Sequence, residues 1–251
     1  MTLCLGINVR EGLVGIADTR ITSGNECLTA RKLRVYHRDG GAIFIMTSGL
    51  RSVTDKALTY FEQVLDERDE PFGRLYQVVN LLTDQVRKVA DEDRAYLERS
   101  GLHFNMKALV GGQMPGDPIH KLYLVYPEGN WVDTGRGTPY HIIGSSGYGK
   151  PVLVRALHYT DSMRHAFKAA CLAFDSTRIS AADVDFPLDV VLYSSNTCRM
   201  VQHRYFEEDL REISNWWQQH LRLLMADLTG NWVETAFSKL DKSLGPEARD
   251  A

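Results

Sequence analysis

The chain has 251 residues, 44% of them hydrophobic and 24% charged, with a formal net charge of -3. That length and apolar content allow one large domain with a full core, and the slight acidity argues against a nucleic-acid-binding surface as the main business. No basic and then apolar leader opens the sequence, and no apolar run approaches the roughly 18 residues of a spanning helix, so a cytoplasmic protein with no membrane partner is expected. The cysteines Cys4, Cys27, Cys171 and Cys198 form no CxxC pair, and no histidine cluster stands at metal spacing. Reduced thiols are the plainer explanation, and no metal or other cofactor is expected.

In chain order, Leu3 to Val9 and Leu13 to Ala17 are short apolar runs joined by Arg10-Glu11-Gly12, which reads as a β-hairpin. Leu28 to His37 reads as a third strand and Ala42 to Thr47 as a buried fourth, ending at Ser48-Gly49. Helical spacing of apolar residues then marks 50–66 and 74–98, split by Pro71-Phe72-Gly73. Further strands are read at Phe104 to Gly111, Leu122 to Tyr126, Trp131 to Thr134 and Tyr140 to Ile143. A helical region over about 149–176, broken near Tyr159 to Ser162, precedes a last strand pair, Pro187 to Ser194 and Arg199 to Tyr205. A terminal helix over about 208–227 carries Leu210, Ile213, Trp217, Leu221 and Leu224 at helical spacing. Strands that come in groups, not in alternation with helices, indicate antiparallel sheets with segregated helices, an α+β layered domain.

Chemistry enters at Met1-Thr2. Methionine is normally trimmed before a small side chain, which would leave Thr2 with a free amine. Such a residue carries a hydroxyl nucleophile and its own base on one skeleton. Met-Thr also occurs by chance, so its neighbours decide. They are Ala17-Asp18-Thr19-Arg20 after a Gly-started strand, Arg31-Lys32-Leu33 on the next, Thr47-Ser48-Gly49-Leu50 at a strand-to-helix turn, and Gly144-Ser145-Ser146-Gly147. In this order and spacing they resemble the N-terminal-nucleophile peptidases of the proteasome β-subunit type. The bacterial Anbu (ancestral β-subunit) branch is the nearer likeness. That branch is marked here by the Met-Thr start, Phe174-Asp175-Ser176-Thr177, the strand Phe186 to Tyr193, and Trp216-Trp217 after Tyr205-Phe206-Glu207-Glu208.

The resemblance covers residues 1–228 as a peptidase domain and leaves 229–251 as an extension without a role. It implies a four-layer αββα sandwich and a threonine peptidase that hydrolyses peptide bonds of peptides or unfolded proteins. Thr2 would be the nucleophile once Met1 is removed. Lys32 would stand beside it, favouring a neutral amine and a negative oxygen, with Asp18 orienting that lysine. Gly49 would supply an oxyanion-hole N–H. Ser145, with Ser146 as the fallback, would bond the terminal amine, and Asp175 would support the site. Without Thr2, Asp18 and Lys32 would read as an ordinary ion pair between strands, and Ser48-Gly49 as a turn.

Two departures stand out. Arg178 occupies the place of a serine three residues after Asp175, leaving Ser176 or Ser180 as substitutes, and the loop between Asp18 and Lys32 is short by two residues. The resemblance also implies self-assembly into a ring or open spiral homo-oligomer. With no GxxxxGKS/T loop in the chain, any ATP-driven unfoldase would be another protein. An acylase-like amidase and an inactive scaffold are the competing functions, because a fold does not choose its substrate.

Overall fold

The computed structural model describes residues 2–23 and 26–243. In chain order its strands are β1 (Leu3–Val9), β2 (Gly12–Asp18), β3 (Arg20–Ser23), β4 (Glu26–Thr29), β5 (Leu33–Arg38), β6 (Gly41–Gly49), β7 (Met106–Gln113), β8 (Lys121–Val125), β9 (Trp131–Asp133), β10 (Tyr140–Gly144), β11 (Leu188–Ser194) and β12 (Arg199–Tyr205). Helices α1 (Arg51–Glu67) and α2 (Leu75–Arg99) follow β6, and α3 (Lys150–Ala156) and α4 (Met163–Ser180) follow β10. Helices α5 (Glu207–Asp227) and α6 (Asn231–Ser243) close the described chain.

Two antiparallel sheets are built from these strands, in the orders β10-β1-β2-β11-β12 and β5-β6-β7-β8-β9, with β3-β4 as a separate hairpin. Side chains of a strand alternate between its faces, and here both faces are apolar. On β1, Leu3, Leu5, Ile7 and Val9 pack with Ala166, Ala170 and Phe174 of α4. Cys4, between them, turns the other way and packs with Phe44, Met46 and Leu109 of the second sheet. On β6 the even residues Phe44 and Met46 face that inter-sheet layer, while Ile43 and Ile45 pack under Phe61, Val78 and Leu82 of α1 and α2. The result is the expected four-layer helix-sheet-sheet-helix sandwich, an α+β fold.

Glycines make room for Phe44 in the inter-sheet layer. A Cβ on Gly111 would lie 2.3 Å from the ring of its cross-strand partner Phe44, and one on Gly15 would lie 2.6 Å from its partner Val191 and 3.3 Å from Phe44 of the facing sheet. Phe44 therefore fills a slot that only hydrogen atoms line on two sides.

The structure corrects the sequence reading in three places. The single strand over 28–37 is two: β4 stops at Thr29 and β5 starts at Leu33. Between them Ala30 N–H donates to Thr19 O at 2.9 Å, so the chain leaves one ladder before joining the next. The hairpin partner β3 carries no apolar alternation and was not anticipated. Residues 231–243 form α6, where the sequence reading had found no element.

The chain divides into two compact units, Met1–Leu210 and Arg211–Ala251. No residue of α5 is buried. Trp216 and Trp217 therefore both lie outside the core. Their rings lie nearly parallel with centroids 6.4 Å apart, and Trp216 also stacks on His220 at 4.1 Å. Among the described residues no helix is long and apolar enough to cross a membrane, and no three His, Cys, Asp or Glu side chains converge as metal ligands.

Candidate active site

Where β1 begins, the inter-sheet layer opens into a cleft of about 630 Å³. Thr2 stands immediately before β1 and, by alternation, shares the inter-sheet face of Cys4. It lines the cleft and is itself buried. The Ser145 N–H donates to the Thr2 carbonyl oxygen at 2.6 Å. Gly144 makes that contact possible: its φ is +86°, and a Cβ there would fall 1.8 Å from the same oxygen. Ser145 is buried and Ser146 exposed. Through its backbone Ser145 fixes the carbonyl of Thr2. Met1 lies outside the described residues.

Beside Thr2 runs a buried polar chain. Asp18, the last residue of β2, is fully buried, and one of its oxygens, Oδ1, accepts from Leu3 N–H at 2.8 Å and from Lys32 Nζ at 2.8 Å. Lys32 Nζ donates a second bond to Arg20 O at 2.6 Å. The same carboxylate thus ties the start of β1 to the residue before β5, and it holds the Lys32 ammonium at the cleft wall. Burial pushes the Asp18 carboxyl above the usual carboxylate range, and the Lys32 charge and the accepted hydrogen bonds pull it only part of the way back. Arg31, the only competing cation on this stretch, is exposed. Burial also pushes up the nearby Cys4 thiol, which leaves it protonated and unreactive at neutral pH.

Gly49 closes the constellation, and its geometry follows from strand register. On the β7 side Leu50 N–H bonds Asn105 O at 2.9 Å, so the neighbouring pair Gly49–Met106 is of the non-hydrogen-bonded kind. On the β5 side Thr47 N–H bonds Lys32 O at 3.1 Å, so the Gly49 N–H points the same way as that of Thr47. There β5 has not yet begun, since its first pair is Leu33–Met46. The Gly49 N–H therefore meets no ladder partner among the described residues and points along the Lys32 edge of β6. With a φ of +135° and a would-be Cβ 2.1 Å from Asn105 O, no other residue fits this position. Helix α1 opens two residues later.

Thr2, Lys32 and Gly49 thus converge on one cleft, with Asp18 and Ser145 bonded behind them. Asp175 is buried on α4 and does not line the cleft wall, and its Oδ1 accepts from Arg178 at 3.1 Å. The residue in place of the expected serine is therefore the aspartate's own ion partner.

Ser48 and Gly144, which the sequence motifs contain without a role of their own, and Lys107, which they do not contain, also line the cleft. Two of these were findable. Lys107 is two residues before Leu109 and Ser48 two after Met46, so strand alternation places both side chains on the inter-sheet face.

No family model and no curated protein matches the chain. Solved structures do. A mutant Anbu from Hyphomicrobium sp. strain MC1 superposes with a TM-score of 0.84 at 27% identity, covering 92% of this chain and 99% of its own. The chain has the Anbu fold. Anbu (ancestral beta-subunit) from Yersinia bercovieri gives 0.83 at 29% identity, covering 91% of this chain and 98% of its own. Anbu from Pseudomonas aeruginosa, solved as a helical assembly, gives 0.83 at 26%, with coverages of 91% and 97%. The likeness to Anbu read from the sequence therefore holds across nearly the whole chain, and each match spans almost the full length of the relative.

Proposed function

We propose that this Anbu-like chain is a threonine-type peptidase in which Thr2, freed of Met1, is the nucleophile. The observation that carries the reading is the convergence of Thr2, the Asp18-held Lys32 ammonium and the unpartnered Gly49 N–H on one cleft. In this reading Thr2 Oγ1 attacks the substrate carbonyl carbon while its proton passes to the Thr2 amine. The carbonyl oxygen becomes an oxyanion facing the Gly49 N–H. Donors so placed contribute about 3–4 kcal/mol to such barriers. The C–N bond then breaks, the amine returns its proton to the leaving nitrogen, and water hydrolyses the ester left on Thr2. Lys32 lowers the charge on the amine and favours the negative oxygen. Ser145 and Gly144 hold the Thr2 backbone, and Asp175 acts at most from a distance.

The test is covalent. Intact mass of the purified protein should show Met1 absent, and an electrophile directed at N-terminal threonine should add one equivalent, mapped to Thr2. A retained Met1, or labelling at another residue, would sink the proposal. One observation favours a second reading, a scaffold without turnover: Asp175 is already neutralised by Arg178. Absence of labelling in protein lacking Met1 would choose it.

We also infer that the chain assembles with copies of itself. The Pseudomonas aeruginosa relative is solved as a helical assembly, and α5 and α6 expose Trp216, Leu224, Met225, Trp232 and Phe237, each at least half accessible. Such a face is unlike an ordinary monomer surface. Trp216→Ala together with Leu224→Ser should lower the mass seen by analytical ultracentrifugation, and an unchanged mass would reject this face as the contact. Free thiols at Cys4, Cys171 and Cys198 support a reducing, cytoplasmic setting.

A further inference from the structure

We propose that the cleft recognises peptides through a carboxylate, and that Lys107 and Arg31 are the residues that select it. The inference rests on the peptidase reading for its choice of a peptide as the ligand. Five cations line the cleft, namely Arg20, Arg31, Lys32, Arg51 and Lys107, and among the residues whose side chains are described, which leaves out 22–27, no aspartate or glutamate does. Three of these charges are matched inside the protein. Arg20 pairs with Asp185 at 3.0 Å, Lys32 with Asp18 at 2.8 Å and Arg51 with Asp55 at 3.1 Å. Among the residues whose side chains are described, 22–27 excepted, no carboxylate forms an ion pair with Arg31 or Lys107.

The two unmatched cations sit on different walls. Lys107 pairs across the ladder with Ser48, and by alternation from Leu109 it extends into the inter-sheet gap next to the Gly49 turn. Arg31 lies on the exposed stretch between β4 and β5, one residue from Lys32. The N-terminus of α1, with no acidic residue in its first turn and no side-chain cap, adds positive potential at the same mouth. Concave walls of one sign concentrate field and draw the opposite charge. A neutral or basic peptide would leave these cations without a partner, whereas a carboxylate would complete them. That carboxylate is either an acidic side chain beside the scissile bond or the free end of a peptide.

Binding separates this from catalysis. The full chain carrying Thr2→Ala, which cannot turn over, is titrated calorimetrically at low salt with three acetylated peptides. One has glutamate before a C-terminal amide, one has glutamine there, and one has glutamine and a free C-terminal carboxylate. A charged hydrogen bond exceeds a neutral one by roughly tenfold in affinity. Tenfold tighter binding of either carboxylated peptide than of the neutral amide is expected, and which one wins names the source. The advantage should shrink in high salt. Adding Lys107→Gln or Arg31→Gln should reduce it severalfold while the neutral peptide binds as before, which also shows that the exposed substitutions leave the fold intact. Equal binding of all three peptides, or a preference that survives both substitutions, would overturn the proposal. If the carboxylate preference is found but Thr2 in the parent chain takes no electrophile, the peptidase reading falls and the recognition stands.

Discussion

Thr2→Ala removes peptide hydrolysis and covalent labelling together, with a loss in turnover of at least about a thousandfold, as for other nucleophile deletions. The fold is expected to survive. Ser145 N–H bonds the carbonyl oxygen of Thr2, and alanine keeps that carbonyl. Unfolding free energy should therefore stay within about 1 kcal/mol of the parent, the range of substitutions that break no buried network. Thr2→Ser, which keeps a hydroxyl and an amine, should retain labelling. The measurements are burst and steady-state hydrolysis of a peptide amide, and intact mass after inhibitor treatment. Label on the Thr2→Ala protein would place the nucleophile elsewhere.

Lys32→Met gives the second large effect, and it acts on stability and activity at once. Lys32 and Asp18 are both buried, and the methionine would leave the Asp18 carboxylate with only backbone donors, from Leu3 and Arg20, and no cation. Removing one partner of a buried pair costs about 3–5 kcal/mol, because the remaining charge stays desolvated. The pH dependence follows from sign. Burial already raises the Asp18 carboxyl above its ordinary value, and loss of Lys32, its largest downward influence, raises it further. A group raised in the folded state contributes stability below its unfolded value and loses it as pH rises through the folded value. Lys32→Met should therefore be most destabilised near neutral pH and recover part of the loss as the pH falls through the raised Asp18 value, read by denaturant unfolding.

Adding Asp18→Asn removes the stranded charge. The double variant should regain most of the stability and none of the activity. If it is no more stable than Lys32→Met, the pair is not coupled as described. If it hydrolyses peptide at the parental rate, Lys32 takes no part in the chemistry.

The architecture was readable because its signals are local. Both sheets are buried on two faces, so runs such as Leu3-Cys4-Leu5-Gly6-Ile7 and Ile43-Phe44-Ile45-Met46 declare themselves as strands with no partner in view. Helices α1 and α2 announce themselves by apolar spacing that meets one sheet face, and their ends fall within one residue of the expected positions. The hairpin β3-β4 had no such signal, since Arg20-Ile21-Thr22-Ser23 is short and mostly polar. It forms where the chain must cross from Asp18 to Lys32.

Chain order alone determined which residue types are present for the chemistry: a threonine after Met1, a carboxylate closing the second strand, a lysine before the fifth and a glycine closing the sixth. Tertiary structure decided which of them meet. It placed Arg178 one helical turn from Asp175 on α4, where the two form an ion pair behind the cleft lining. It brought Lys107 and Gly144 to one cleft from strands distant in sequence: alternation gives the face of Lys107, but only the packing of the sheets gives its neighbours. Register decided the rest. Because β5 starts one residue after Lys32, the Gly49 N–H has no strand to bond, and a donor left over by sheet pairing becomes one that a ligand can use.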